Sequence, residues 1–273
     1  MKALVQTDWL EKHLSDENLC ILDATWFMPA TKRQAWHEYN YRHIPGARFF
    51  DLDRFSDQTT SLPHMLPSAE KFSADVSRLG INNKTRVICY DVQGMFSAPR
   101  CWWMFKVFGH NDVWVLDGGL KKWMAENRPL QDGEPAAAKP AQFNAALNAN
   151  MVRNIDDMTK TKAQIVDARS APRFSAQEAD PRPGVRPGHM PGSLNLHYAK
   201  LVTARGLLYR DALLRSKFTD AGVDLKKPII TSCGSGVTAA IITLALTELG
   251  HEDHALYDGS WAEYGASGRA IES

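Results

Sequence analysis

The stretch Pro228-Ile-Ile-Thr-Ser-Cys-Gly-Ser-Gly-Val-Thr-Ala-Ala-Ile-Ile242 joins three pieces of different character. A short apolar run closes at Ser232, small residues follow from Cys233, and a strongly apolar segment starts near Val237 and continues to about Leu249. The first piece reads as a buried parallel strand and the last as a helix. Between them, Gly234 and Gly236 free the backbone to turn successive amides inward as an anion-binding nest. The positive end of the helix dipole adds to that field. A thiol at this junction is placed where the thiolate is favoured, so Cys233 is the candidate nucleophile.

Outward from this stretch the chain repeats itself. Ile21-Leu-Asp-Ala-Thr25 pairs with Ile165-Val-Asp-Ala-Arg169, and His43-Ile-Pro-Gly-Ala47 with His189-Met-Pro-Gly-Ser193. Leu79-Gly-Ile81 pairs with Ala221-Gly-Val223, and the GH-to-DG run from Val107 with that from Glu248. Four pairs in one order, at offsets of 144, 146, 142 and 141, indicate a duplicated module. The expected domains are residues 1–130 and 151–273. They are joined by a connector over 131–150 whose Pro-, Ala- and Asn-rich composition lacks helical or strand period. In each half, apolar runs (20–24, 86–90 and 113–116; 164–168, 228–232 and 254–257) alternate with amphipathic segments such as 69–79, capped by Ser68, and 211–221. The fold class is therefore α/β, two tandem domains each with a mainly parallel sheet flanked by helices. Ligands of such sheets bind outside the carboxyl ends of the strands, where Cys233 stands.

The first half supplies a control. Aligning Gly94 with Gly236 places Asp91 at the cysteine position, so only the second module is expected to be active. Cys20, Cys89 and Cys101 fall inside strand or helix patterns and read as packing residues. A Cys-x5-Arg phosphatase loop would need arginine at position 239, which is alanine. With 32 Lys+Arg against 31 Asp+Glu there is no basic excess to bind nucleic acid. The richest apolar run, 239–249, is too short and too broken by Thr243, Thr247 and Glu248 to span a membrane. The opening segment has no apolar run of signal-peptide type, and the cysteines form no CxxC pair. The expectation is a cytoplasmic, reducing location, with no metal site and no organic cofactor.

The residues Cys233-Gly-Ser-Gly-Val-Thr238, His43-Ile-Pro-Gly-Ala47, Leu62-Pro-His-Met-Leu-Pro67, Phe96-Ser-Ala-Pro-Arg100 and Asp117-Gly-Gly-Leu120 resemble the rhodanese family. Within it, the Cys233 loop is similar to that of the two-domain 3-mercaptopyruvate sulfurtransferases. The resemblance covers nearly the whole chain. It implies that Cys233 takes sulfane sulfur from 3-mercaptopyruvate as a persulfide, releasing pyruvate, and passes it to thioredoxin, a small thiol or cyanide. The persulfide would be held by the loop of Gly234, Ser235, Gly236, Val237 and Thr238. Thiosulfate-using members typically carry basic residues where this chain has Gly234 and Ser235, so thiosulfate is the alternative donor; a non-catalytic persulfide carrier is a further one. The family places substrate-carboxylate arginines at positions matching Arg173 and Arg182, with Arg169 and Arg186 nearby. Ala179-Asp180-Pro181 departs from the usual Glu-Pro before Arg182. A serine-histidine-acid relay discussed for the family maps onto Ser235 and His43; Glu38 is a candidate acid by proximity. Trp26 and Phe96 are candidates to line the inter-domain pocket.

Overall fold

The computed structural model describes residues 2–134 and 137–273; Pro135 and Ala136 of the expected connector lie outside them, as does Met1. The first module holds β1 (Leu4–Val5), β2 (Leu19–Asp23), β3 (Arg48–Phe49), β4 (Arg86–Tyr90) and β5 (Val113–Leu116), in the sheet order β1-β5-β4-β2-β3. The second holds β6 (Val152–Arg153), β7 (Gln164–Asp167), β8 (Leu194–Asn195), β9 (Ile229–Ser232) and β10 (His254–Tyr257), in the order β6-β10-β9-β7-β8. Every strand pairing is parallel, and the two orders are the same order shifted by five strands. The longer strands are the apolar runs that the sequence marks. The edge strands β1, β3, β6 and β8 have two residues each, too few for any periodicity to show.

The central strands β4 and β9 aim the Asp91 and Cys233 loops at the interface between the modules. Each loop then enters a ten-residue helix, Ala98–Val107 or Ala239–Glu248, and these two helices pack against each other. Both are apolar on nearly all sides because each is covered by its own sheet on one face and the opposite module on the other. The helix that looks richest in apolar residues is thus a core helix, and one hydrophobic cluster runs through both modules. Beneath the loops, Thr231 and Thr243 share a hydrogen bond at 2.9 Å, while the equivalent Cys89 and Cys101 sulfurs lie 3.3 Å apart. The cysteine pair therefore occupies a packing position that two threonines fill in the other copy. Burial pushes the Cys20 thiol up to about 11 and the Cys101 thiol well above its ordinary value, which suits inert core residues.

The connector is a strap laid along the first module. Gln131 and His43 exchange backbone hydrogen bonds at 2.8 and 2.9 Å, Ala141 N–H donates to Ser77, and Ala146 and Asn148 donate to Phe108 and Val107. Phe143, 2% exposed, inserts edge-on against Phe72 and Phe105. Burial of one such ring is worth roughly 2–3 kcal/mol, enough to hold down a segment whose described residues form no helix or strand before Ala149.

Candidate active site

The Cys233 loop is fixed from below by the next βα turn. Trp261 and Ala262 N–H donate to the carbonyls of Cys233 and Gly234, each at 2.9 Å, and Cys233 N–H donates to Ser260 Oγ at 3.2 Å. Gly236 has φ +79°, and a Cβ there would lie 2.7 Å from Arg100 Nη1, so conformation and space both demand glycine. Among the described residues no acceptor meets the amides of Ser235, Gly236, Val237, Thr238 or Ala239. Cys233, 2% exposed, sits in this bowl of free donors.

The first module shows what such a bowl holds. Asp91 Oδ1 accepts from the amides of Gln93 and Gly94 at 2.9 and 2.8 Å, and Oδ2 from Phe96, Ser97 and Ala98 at 2.8, 2.9 and 2.9 Å. Shifted by 142 residues, these donors are the amides of Ser235, Gly236, Thr238, Ala239 and Ala240. The carboxylate oxygen stands two bonds from Cβ, where the outer sulfur of a cysteine persulfide would stand. The first loop has thus bound its own anion, and the second presents the same donors to whatever Cys233 carries.

Arg173, on the short helix Ala171–Phe174, and Arg182, on the following loop, converge over Gly234. A Cβ on Gly234 would lie 3.3 Å from Arg182 Nη1 and 3.6 Å from Arg173 Nη2. Asp180 holds both, accepting from Arg173 Nη2 at 2.5 Å and from Arg182 Nη1 at 3.2 Å. Arg173 Nε is buried without an acceptor among the described residues. Arg169 and Arg186 are committed elsewhere. Arg169 pairs with Asp167 and lies over the Trp261 ring, and Arg186 donates to the carbonyls of Gly265 and Arg269. The cavity in front of Cys233, about 270 Å³, is lined by Arg169, Arg173, Arg182 and Tyr198 from the second module and by Trp26, Met28 and Phe96 from the first.

The histidine that reaches Ser235 is His64, in place of the expected His43. His64 Nδ1 lies 2.9 Å from Ser235 Oγ, and its Nε2 lies 3.0 Å from Asp53 Oδ1. The carboxylate fixes a proton on Nε2, which leaves Nδ1 to accept from the serine hydroxyl. The hydrogen bond from His64, joined by one from Trp26 Nε1, holds the Asp53 carboxyl below its ordinary range. Trp26 also meets the imidazole edge-on at 4.7 Å. His43 cannot take this part. Its Nδ1 is bound to the Tyr39 carbonyl at 2.9 Å and its ring is stacked on Tyr39, just as His189 is bound to and stacked on Phe174. The two histidines brace equivalent turns. Glu38 pairs with Arg33 on the surface, so the acid beside the histidine is Asp53. The signal for His64 was its setting, a lone histidine pinned between Pro63 and Pro67 in a segment with no apolar period.

If the second loop is an anion receptor like the first, Cys233→Asp should fill it from within. The variant should be inactive yet melt at a higher temperature than Cys233→Ala, because each charge-assisted amide hydrogen bond is worth roughly 1.5–3 kcal/mol. Equal thermal midpoints for the two variants would show that the second loop does not receive anions as the first does.

Both halves of the chain are similar to known proteins. The Rhodanese-like domain model matches twice, over residues 6–126 and 150–267. The chain is 41% identical over 273 residues to 3-mercaptopyruvate sulfurtransferase of Homo sapiens, covering 96% of this chain and 92% of that protein. It is 40% identical over 274 residues to thiosulfate sulfurtransferase of Rattus norvegicus, covering 96% and 92%. The crystal structure of SseA from Escherichia coli, described as having the rhodanese fold, superposes with a TM-score of 0.87 at 41% identity, covering 96% of this chain and 99% of that one. A duplicated parallel sheet, a cysteine in an amide-lined loop and a match in both halves lead to one conclusion: the chain belongs to the rhodanese family.

Proposed function

We propose that the chain is a sulfurtransferase that takes sulfane sulfur from 3-mercaptopyruvate onto Cys233 and passes it to a thiol or cyanide. The observation that carries this reading is the convergence of Arg173 and Arg182 beside Gly234, one residue from a buried thiol in a loop of free amides. Two guanidiniums match a planar carboxylate and its neighbouring keto oxygen, and leave the donor's sulfur directed at Cys233.

The thiol proton passes by way of the Ser235 hydroxyl to His64 Nδ1, where the Asp53 carboxylate supports the imidazolium. The Cys233 thiolate then attacks the sulfur of 3-mercaptopyruvate. The new S–S bond forms as the C–S bond breaks, and the released pair leaves as the enolate of pyruvate, which takes up the proton held at His64. Amides of Ser235, Gly236, Thr238, Ala239 and Ala240 hold the persulfide, as their counterparts hold Asp91. An acceptor thiol attacks the outer sulfur, carries it away and restores Cys233. Thioredoxin and small thiols suit this step, as does a reducing compartment such as the cytoplasm. Thiosulfate remains the second reading for the donor, favoured by the 40% identity to a thiosulfate sulfurtransferase.

Pyruvate release should disappear in Cys233→Ser while its far-UV spectrum and thermal midpoint stay near those of the parent. The kcat/KM for 3-mercaptopyruvate should exceed that for thiosulfate, and the reverse order would move the assignment to the second reading. Multiple turnovers with free 3-mercaptopyruvate and a small thiol are expected, whereas a single turnover would indicate a carrier. Arg182→Ala should raise KM for 3-mercaptopyruvate roughly ten- to a hundredfold, the loss of one charge-assisted contact. An unchanged KM would remove Arg182 from carboxylate binding.

A further inference from the structure

Each module ends its last strand on an aspartate that crosses the interface. Asp258, after β10, accepts Leu66 N–H on Oδ2 at 2.7 Å and Arg100 Nη2 on Oδ1 at 2.6 Å. Asp117, after β5, accepts Leu208 N–H on Oδ1 at 3.1 Å and Arg210 Nη2 on Oδ2 at 2.7 Å. Leu66 and Leu208 are 142 residues apart, and Asp117 and Asp258 are 141 apart. One device is therefore built twice: a carboxylate shared between an arginine and one amide of the loop that the opposite module lays across it. The loops differ at the residue two places before the held amide, which is Gly206 in one and His64 in the other. Gly206 packs against Gly94 of the first module's self-occupied loop, whereas His64 reaches Ser235.

His64 has φ +60°, in the left-handed region that residues other than glycine seldom adopt. It is held from both sides, because its own carbonyl accepts from Arg100 Nη2 and the Leu66 amide is bound to Asp258. Arg100 is fully buried and Asp258 is 4% exposed, so water does not compete for these contacts. Arg100 Nε and Nη1 have no acceptor among the described residues, so its guanidinium is placed by Nη2 and by the Trp103 ring it covers at 4.4 Å.

We propose that Asp258, acting through Arg100 and the Leu66 amide, is a positioning residue that holds His64 in register with Ser235, and that the Asp117–Arg210 pair is its purely structural counterpart. The inference rests on the relay proposed above. Asp258→Asn keeps the shape but turns one acceptor into a donor, which must face either Leu66 N–H or Arg100 Nη2. Asp117→Asn places the same defect at the other loop. In the full chain, Asp258→Asn should lower kcat for 3-mercaptopyruvate about ten- to a hundredfold, the penalty of a misplaced group, with KM changed less than about twofold. Asp117→Asn should lower the thermal midpoint to a similar extent and leave kcat unchanged. In a His64→Ala background, Asp258→Asn should cost nothing further. Arg100→Lys, which keeps the charge pair but is too short to reach the His64 carbonyl, should repeat the kcat loss even if Asp258→Asn does not fold. An unchanged kcat in His64→Ala would overturn the relay and this inference with it. A loss in His64→Ala but none in Asp258→Asn or Arg100→Lys would overturn the inference alone. So would equal kcat losses in Asp258→Asn and Asp117→Asn, or a further loss in the His64→Ala background.

Discussion

A hydrogen bond of 2.9 Å between Ser235 of one module and His64 of the other sets the tolerance for the whole molecule. Such a contact weakens steeply once donor and acceptor drift a few tenths of an ångström, so the two modules must be held rigidly. That demand accounts for the two apolar helices packed face to face, for the core cluster that crosses the module boundary, and for the connector strapped along the first module. It also accounts for the buried Arg100–Asp258 pair. A lone buried ion pair is weak evidence for stability, but this one touches the backbone on both sides of His64.

The duplication has been resolved into a division of labour. The second module keeps a cysteine in the amide bowl; the first has filled its own bowl with Asp91 and contributes instead a histidine, an exposed carboxylate and an aromatic wall to the opposite site. Neither module holds the full set alone. A single rhodanese-like module could present Cys233, its amides and the two arginines, but His64, Asp53 and the Trp26 face of the cavity come from across the interface.

Chemistry carried by neighbouring residues was legible in the sequence. Strand β9, the glycines at 234 and 236 and the helix after them are local features, and β4, β5 and β10 fall where the apolar runs put them because buried parallel strands need such runs. Arg173 and Arg182 came with the family resemblance, and the structure adds Asp180 between them. The Ser235–His64 contact was not legible, because the two residues are 171 apart and no periodic pattern connects them. His43 drew the assignment because it sits in a repeated motif. Repetition there reflects a shared turn, as the matching stacks on Tyr39 and Phe174 show, whereas the histidine that reaches Ser235 belongs to the loop in which the two modules differ.

Mass spectrometry of the protein after brief exposure to 3-mercaptopyruvate, without acceptor, tests the central claim most directly. The peptide containing Cys233 should gain one sulfur atom, lost on adding a thiol, while the peptides containing Cys20, Cys89 and Cys101 stay unmodified. Pyruvate formed in amounts matching that single sulfur would complete the result. Sulfur found on any other cysteine, or pyruvate released while Cys233 remains a plain thiol, would contradict it.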